Sequence, residues 1–272
     1  MDLRSLLASP LGFLIGISLG ALGGGGSILA VPALVYAAGQ TPKHATTTSL
    51  VLVAITAVVG ILPHWHGGRV RFVPGVIFGL AGIGGSLLGS HWNKAVNANV
   101  LLLAFAGLML IAAAAMWRRL QAISRAPVAR SVGAAANPVV PHPTVRLDPS
   151  TVIKVGVAGT VVGLLTGFFG VGGGFVIVPA LVLALGFTMP EAVGTSLLVI
   201  TINSIVALTT RLQPGAIEWG TVIPFTVASL IGVIVGSRLA STRDSKSLQR
   251  WFVGLLVVVA VYTAVRSGLA LR

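Results

Sequence analysis

The sequence predicts an all-α integral membrane protein of about eight transmembrane helices, arranged as two homologous four-helix repeats with the first helix of each repeat broken by a glycine cluster. Three observations carry this reading. Of the 272 residues, 55% are hydrophobic and 8% are charged, a balance that leaves a water-soluble fold too little polar surface to cover itself. Apolar stretches recur at lengths near the roughly 20 helical residues needed to cross about 30 Å of hydrocarbon, and the charges fall between them. The chain also matches itself at an offset of 147 residues, which carries Gly23 onto Gly170.

Hydropathy places helices near residues 10–38, 44–63, 72–91 and 98–117, and again near 152–185, 190–210, 219–239 and 248–270. Residues 1–117 form the first transmembrane repeat and residues 151–272 the second. Between them, residues 118–150 form a linker rich in Ala, Pro and Arg with no helical period. Arg4 followed by an apolar run resembles the start of a signal peptide. The same segment has a counterpart in mid-chain, so the N-terminal helix should be retained.

The internal match is specific. Gly23, Gly25 and Gly26 fall on Gly170, Gly172 and Gly173, and Val31-Pro32-Ala33-Leu34-Val35 falls on Val178-Pro179-Ala180-Leu181-Val182. Gly39 falls on Gly186, Thr41 on Thr188, Thr48-Ser49-Leu50 on Thr195-Ser196-Leu197, and Gly85, Gly89 and Ser90 on Gly232, Gly236 and Ser237. Shared apolar composition does not place Gly, Pro, Thr and Ser in one register. Trp65, Trp92, Trp117, Trp219 and Trp251 lie at expected helix ends, where amphipathic rings settle among the headgroups.

The linker carries Arg118, Arg119, Arg125, Arg130 and Arg146, with Lys154 just beyond, so it should be cytoplasmic. Four crossings per half would bring both termini to the same side, with twelve Lys and Arg residues inside and six outside. The cluster from residue 238 to 250 then sits on the wrong side. Re-entry of a glycine-broken segment, which inverts one half, is the alternative.

The net charge of +13 sits in short connections and at helix ends, the signature of membrane topology and not of a nucleic-acid footprint. No cysteine is present, which removes thiolate chemistry and Cys-ligated metals. Only five acidic residues occur. Asp2, Asp148, Glu218 and Asp244 fall in connections or tails, so no carboxylate pair stands at membrane depth for an intramembrane enzyme. No cofactor and no metal site is expected, and His64-Trp65-His66 lacks the carboxylate a metal site would want.

Chemistry should concentrate at the glycine clusters of residues 20–26 and 167–174. Glycine disfavours helix by about 1 kcal/mol relative to alanine, and Pro32 and Pro179 follow each cluster. Irregular backbone at membrane depth survives only against protein or a water-filled cavity. Broken helices at corresponding positions of two repeats point to a transporter's midplane site. Half-helices starting near Ser27 and Gly174 would aim free N–H groups at the break, and a small anion fits there. The expected substrate-binding set is Gly23, Gly25, Gly26, Ser27, Gly170, Gly172, Gly173 and Gly174 with hydroxyls of Thr48, Ser49, Thr195 and Ser196 and the amide of Asn203. Helix capping and close helix packing are the structural alternatives for these residues. His64 and Arg211 share a repeat position and are expected at a pathway mouth. Glu191, opposite His44 in the offset, either caps a helix or binds a coupling proton.

The motifs Gly23-Gly24-Gly25-Gly26-Ser27 with Val31-Pro32-Ala33-Leu34, and Gly170-Val171-Gly172-Gly173-Gly174 with Val178-Pro179-Ala180-Leu181, resemble the sulfite exporter TauE/SafE family, as do Gly194-Thr195-Ser196 and the Gly-Ser pairs at 89–90 and 236–237. That resemblance covers nearly the whole chain outside the linker. It implies a multi-pass protein of a bacterial-type inner cell membrane that moves sulfite, sulfonates such as sulfoacetate, or related small organic anions. Thr46-Thr47 stands where the second half has Val193-Gly194, so the site should be lopsided. A passive anion channel is the competing function, and an intramembrane enzyme is a more distant one.

Overall fold

A computed structural model describes residues 3–36, 38–93, 98–125, 149–169, 174–209 and 219–269, and these are helical apart from short turns. The first half contains α1 (Leu3–Leu22), α2 (Gly25–Tyr36), α3 (Pro42–His66), α4 (Phe72–Asn93) and α5 (Ala98–Arg125). The second contains α6 (Pro149–Phe169), α7 (Gly174–Leu183), α8 (Met189–Thr209), α9 (Trp219–Thr242) and α10 (Ser245–Leu269). Among the described residues there is no strand, and seven helices (α3, α4, α5, α6, α8, α9 and α10) are long and apolar enough to cross a membrane. The protein is an all-α, multi-pass membrane protein. The linker of residues 118–150 is entered by α5 as far as Arg125, and residues 126–148 lie outside the described set.

Local signals account for the ends. Thr41 caps α3 by accepting the His44 N–H at 3.4 Å, and Pro42 occupies the first turn, where no backbone donor is needed. At α8, Glu191 Oε2 accepts the Thr188 N–H at 3.0 Å and the Thr188 hydroxyl at 2.9 Å. The turns after α2 and α7 share one design. Gly39 (φ +71°) and Gly186 (φ +72°) are left-handed, with Gln40 N–H bonded to Leu34 O and Phe187 N–H to Leu181 O at 3.1 Å each.

The first expected helix, residues 10–38, is not one broken rod. Gly23 adopts φ +65°, a conformation that L side chains rarely take. The chain then doubles back: a Cβ on Gly26 would stand 2.5 Å from Leu19 N and 2.7 Å from Ile15 O, one to two turns back along α1. α1 and α2 therefore form a hairpin.

Register contacts give each helix a direction. Gly12, Gly16 and Gly20 of α1 lie against Phe225, Ser229 and Val233 of α9, so these helices are parallel. Gly159, Gly163 and Gly167 of α6 lie in the same way against Phe78, Gly82 and Ser86 of α4. The second set of pairs is the first shifted by 147. Thr56 bonds Ser229 (3.3 Å) and Gly60 meets Val233, which aligns α3 with α9. Gly194 meets His64 and Gly60 meets Leu197, so α3 and α8 are antiparallel. Gly75 meets Thr195 and Leu198, and Gly79 meets Ile202, so α4 runs with α8. Two bundles result, α1/α3/α9 and α4/α6/α8, and each takes one helix from the other half of the sequence.

Each half thus has three long helices, α3–α5 or α8–α10, preceded by α1 and α2 or by α6 and α7. At one face lie the α3–α4 connection, the end of α5 where Arg119 donates to Gly186 O (3.4 Å), and the start of α10 where Gln249 donates to Met116 O (2.8 Å). The helix ends that flank the linker, at Arg125 and Pro149, lie at this face, and the start of α1 and the end of α10 lie at the opposite one, against the expectation that linker and termini share a side. The basic residues Arg238, Arg243, Lys246 and Arg250 join the linker side.

Because lipid tails are as apolar as the helices, association rests on close packing. A Cβ on Gly85 would strike Thr160 O, one on Gly89 Leu164 O, and one on Gly236 Ile17 O. These glycines serve helix packing, as their spacing suggests. Gly16→Leu and Gly163→Leu should each lower stability by about 1–3 kcal/mol, read as a reduced melting midpoint in detergent. Gly84→Leu, which has open space within 4 Å, should be neutral.

Candidate functional site

The starts of α2 and α7 meet inside the protein. A Cβ on Gly24 would strike the Gly174 carbonyl, and one on Gly174 would strike the Ser27 hydroxyl while lying 2.9 Å from Gly24 O and 3.0 Å from Gly24 Cα. Ser27 and Gly174 are also partners under the 147 offset. The backbones that open α2 and α7 are in direct contact, and only glycine permits that approach. α2 has 12 residues and α7 has 10. Each presents up to four N–H groups without an intrahelical acceptor, and a partial positive charge of about half a unit, at one place.

The expected glycines divide by role. Gly23 makes the left-handed turn, and a Cβ there would collide with the Ser196 hydroxyl and lie 3.2 Å from Val193 Cα. Gly25 faces α10, where a Cβ would come within 2.9 Å of Leu255. Gly26 lets α2 lie on α1. Ser27 donates to Gly24 O at 2.7 Å, closing the turn on itself. Gly170, Gly172, Gly173 and Arg211 lie outside the described residues.

The hydroxyls lie on α3 and α8, which flank the hairpins. Ser196 and Ser49 each donate to the carbonyl three residues back, Val193 O and Thr46 O, at 2.8 Å. Ser196 is fully buried against Gly23, so the second half supplies a hydroxyl to the turn of the first. Thr195 accepts the Arg71 backbone N–H at 3.1 Å, whereas its offset partner Thr48 is fully buried with no partner for its hydroxyl. Asn203 lies against Gly82 on α4, the offset counterpart of the Thr56–Ser229 contact, so its amide belongs to a helix interface. Glycine at position 82 offers no side-chain donor, and Asn203 Oδ1 is unpaired.

His64 is not at an open mouth. It is 1% exposed and its Nε2 lies 3.0 Å from Gly20 O in the last turn of α1. Helix α1 and Gly194 of α8 cover it. Glu191 pairs with Arg71, whose Nε donates to Oε1 at 3.1 Å, and this pair ties the first turns of α4 and α8 together while Glu191 also caps α8. Sequence reasoning missed Gly24 as the contact point of the tips and Gly20 as the His64 partner. Both lie in the flagged run of residues 20–26, but the pattern does not say which glycine faces what. Among the described residues there is no group of three or more His, Asp or Glu side chains able to hold a metal.

The sequence model of the family described as "Sulfite exporter TauE/SafE" matches residues 8–263. A "Probable membrane transporter protein" of Xylella fastidiosa strain Temecula1 is 34% identical over 275 residues, covering 100% of this chain and 99% of that protein. The "Probable membrane transporter protein YunE" of Bacillus subtilis strain 168 is 26% identical over 264 residues, covering 94% and 92%. A third relative, "Probable membrane transporter protein MJ0441" of Methanocaldococcus jannaschii, is 34% identical over 114 residues, 40% of this chain and 43% of that one. No solved structure matches the chain. These are transporters and not enzymes, and the chain belongs to the sulfite exporter TauE/SafE family.

Proposed function

We propose that this membrane transporter is a secondary carrier of small oxyanions, with the anion held where the first turns of α2 and α7 converge. The observation that carries this reading is the contact of Gly24 with Gly174. Two helix N-termini facing each other repel unless a negative charge lies between or beside them. Backbone N–H groups from residues 25–27 and around Gly174 supply donors. Ser196 beside Gly23, with Ser49, Thr48 and Thr195 on the same two helices, supplies hydroxyls. The family description names sulfite, which supports small oxyanions of that kind, sulfonates included in this proposal, as the substrate class.

Alternating access then follows from rocking of the α1/α3/α9 bundle against the α4/α6/α8 bundle, with the hairpin tips between them. Among the described residues, Arg69, Arg71, Arg118, Arg119, Lys154, Arg238, Arg243, Lys246 and Arg250 lie toward the linker face, which supports a cytoplasmic linker.

The test uses proteoliposomes and Gly24→Leu, whose side chain would fill the contact with Gly174. Wild type should show saturable counterflow of labelled sulfite or sulfoacetate. Gly24→Leu, inserted and monodisperse, should lose that flux. Linear flux without counterflow in wild type would make the protein a passive channel. Wild-type flux in correctly inserted Gly24→Leu would remove the tips from the pathway.

A further inference from the structure

Among the described residues, His64 is the titratable side chain that is completely buried, at 1% exposure. Its Nε2 lies 3.0 Å from the Gly20 carbonyl. That carbonyl lies in the last turn of α1, where the turn at Gly23 deprives carbonyls of their helical partners. A carbonyl can only accept, so Nε2 carries the hydrogen and the neutral ring keeps its lone pair on Nδ1. Nδ1 is buried and has no partner. A buried acceptor without a donor is costly unless another state of the molecule uses it.

The surroundings place the ring at the hinge. An ideal Cβ at Gly194 would lie 3.1 Å from His64 Cβ, and the adjacent Val193 and Ser196 abut Gly23. The charged group whose field reaches the ring is Arg69, in the α3–α4 connection, whose backbone N–H donates to His64 O at 2.9 Å. Glu191 on α8 is engaged by Arg71. On α9, Arg238 is exposed. The ionisable residue of α1, Arg4, lies near its far end, and α2 has none. Among the described residues no carboxylate's field reaches the ring to balance an imidazolium, so the balancing charge is that of the arriving anion.

We propose that His64 binds the proton that couples anion movement to a proton gradient. This rests on the oxyanion reading of the tips and deepens it. When an anion arrives, Nδ1 takes one proton from the water on the side to which the site is open. The cation and the anion then cross together, the proton offsetting one of the anion's charges. The Nε2–H bond to Gly20 O persists through the cycle, so the end of α1 stays clamped while Nδ1 gains and loses its proton. Release of the anion removes the balancing charge and expels the proton.

The experiment compares wild type with His64→Gln, whose amide can still donate to Gly20 O but cannot bind a proton. Labelled sulfoacetate serves as substrate because its sulfonate does not titrate at working pH. In wild-type proteoliposomes with the membrane potential clamped at zero, an inward proton gradient should drive about tenfold accumulation per pH unit. His64→Gln should retain measurable counterflow, flat between about pH 6 and 8, and should lose accumulation. Proton uptake on sulfoacetate binding to wild type in detergent, read with a pH indicator dye, should be one per anion; this serves even where His64→Gln folds poorly. Gradient-driven accumulation by His64→Gln, or binding to wild type without proton uptake, would overturn the proposal. Wild type without counterflow of any anion would instead remove the oxyanion reading, and this proposal with it.

Discussion

Everything in this architecture depends on a chain reversal at membrane depth. A polypeptide that turns back inside a bilayer exposes backbone groups that only other protein, or a cavity, can satisfy. Gly23 supplies the left-handed turn, Gly26 lets the returning helix lie directly on α1, and His64 takes up a carbonyl in the final turn of α1. Once α2 returns, α3 runs parallel to α1 and antiparallel to its offset counterpart α8, so the two halves run in opposite directions. The tips then meet at Gly24 and Gly174.

The second consequence is an exchange between the halves. α4 packs with α6 and α8, and α9 packs with α1 and α3, at registers that repeat with the offset of 147. With no hydrophobic drive between helices in lipid, contact energy comes from backbone proximity, which accounts for glycine at every fourth position of α1 and α6. The bundles are therefore of mixed origin, and the rocking proposed above would move them about the hairpin tips.

Much of this was legible in the sequence. The offset flagged the paired glycine clusters, and their proline followers flagged the paired breaks. The family resemblance stated on those motifs agrees with the family match. The reversal itself was not legible, because residues 10–38 read equally well as one long tilted span. Nor could charge decide it: Arg238, Arg243, Lys246 and Arg250 lie away from the linker side in one topology and on it in the other. His64 read as interfacial because it is two residues from a helix end, but α1 and α8 cover it, and no single-helix pattern reports that. Asn203 read as a cavity residue, yet the offset pairs it with Thr56 and places it opposite Gly82, a helix contact.

The most direct test is the sidedness of the linker and the C-terminus. In this cysteine-free chain, Gly133→Cys and Leu271→Cys can be probed singly with a membrane-impermeant maleimide in sealed, right-side-out vesicles. The reversal at Gly23 predicts opposite behaviour, with one position labelled before lysis and the other only after it. Labelling of both from the same side would mean that the glycine-broken segments cross, and would contradict the inverted architecture.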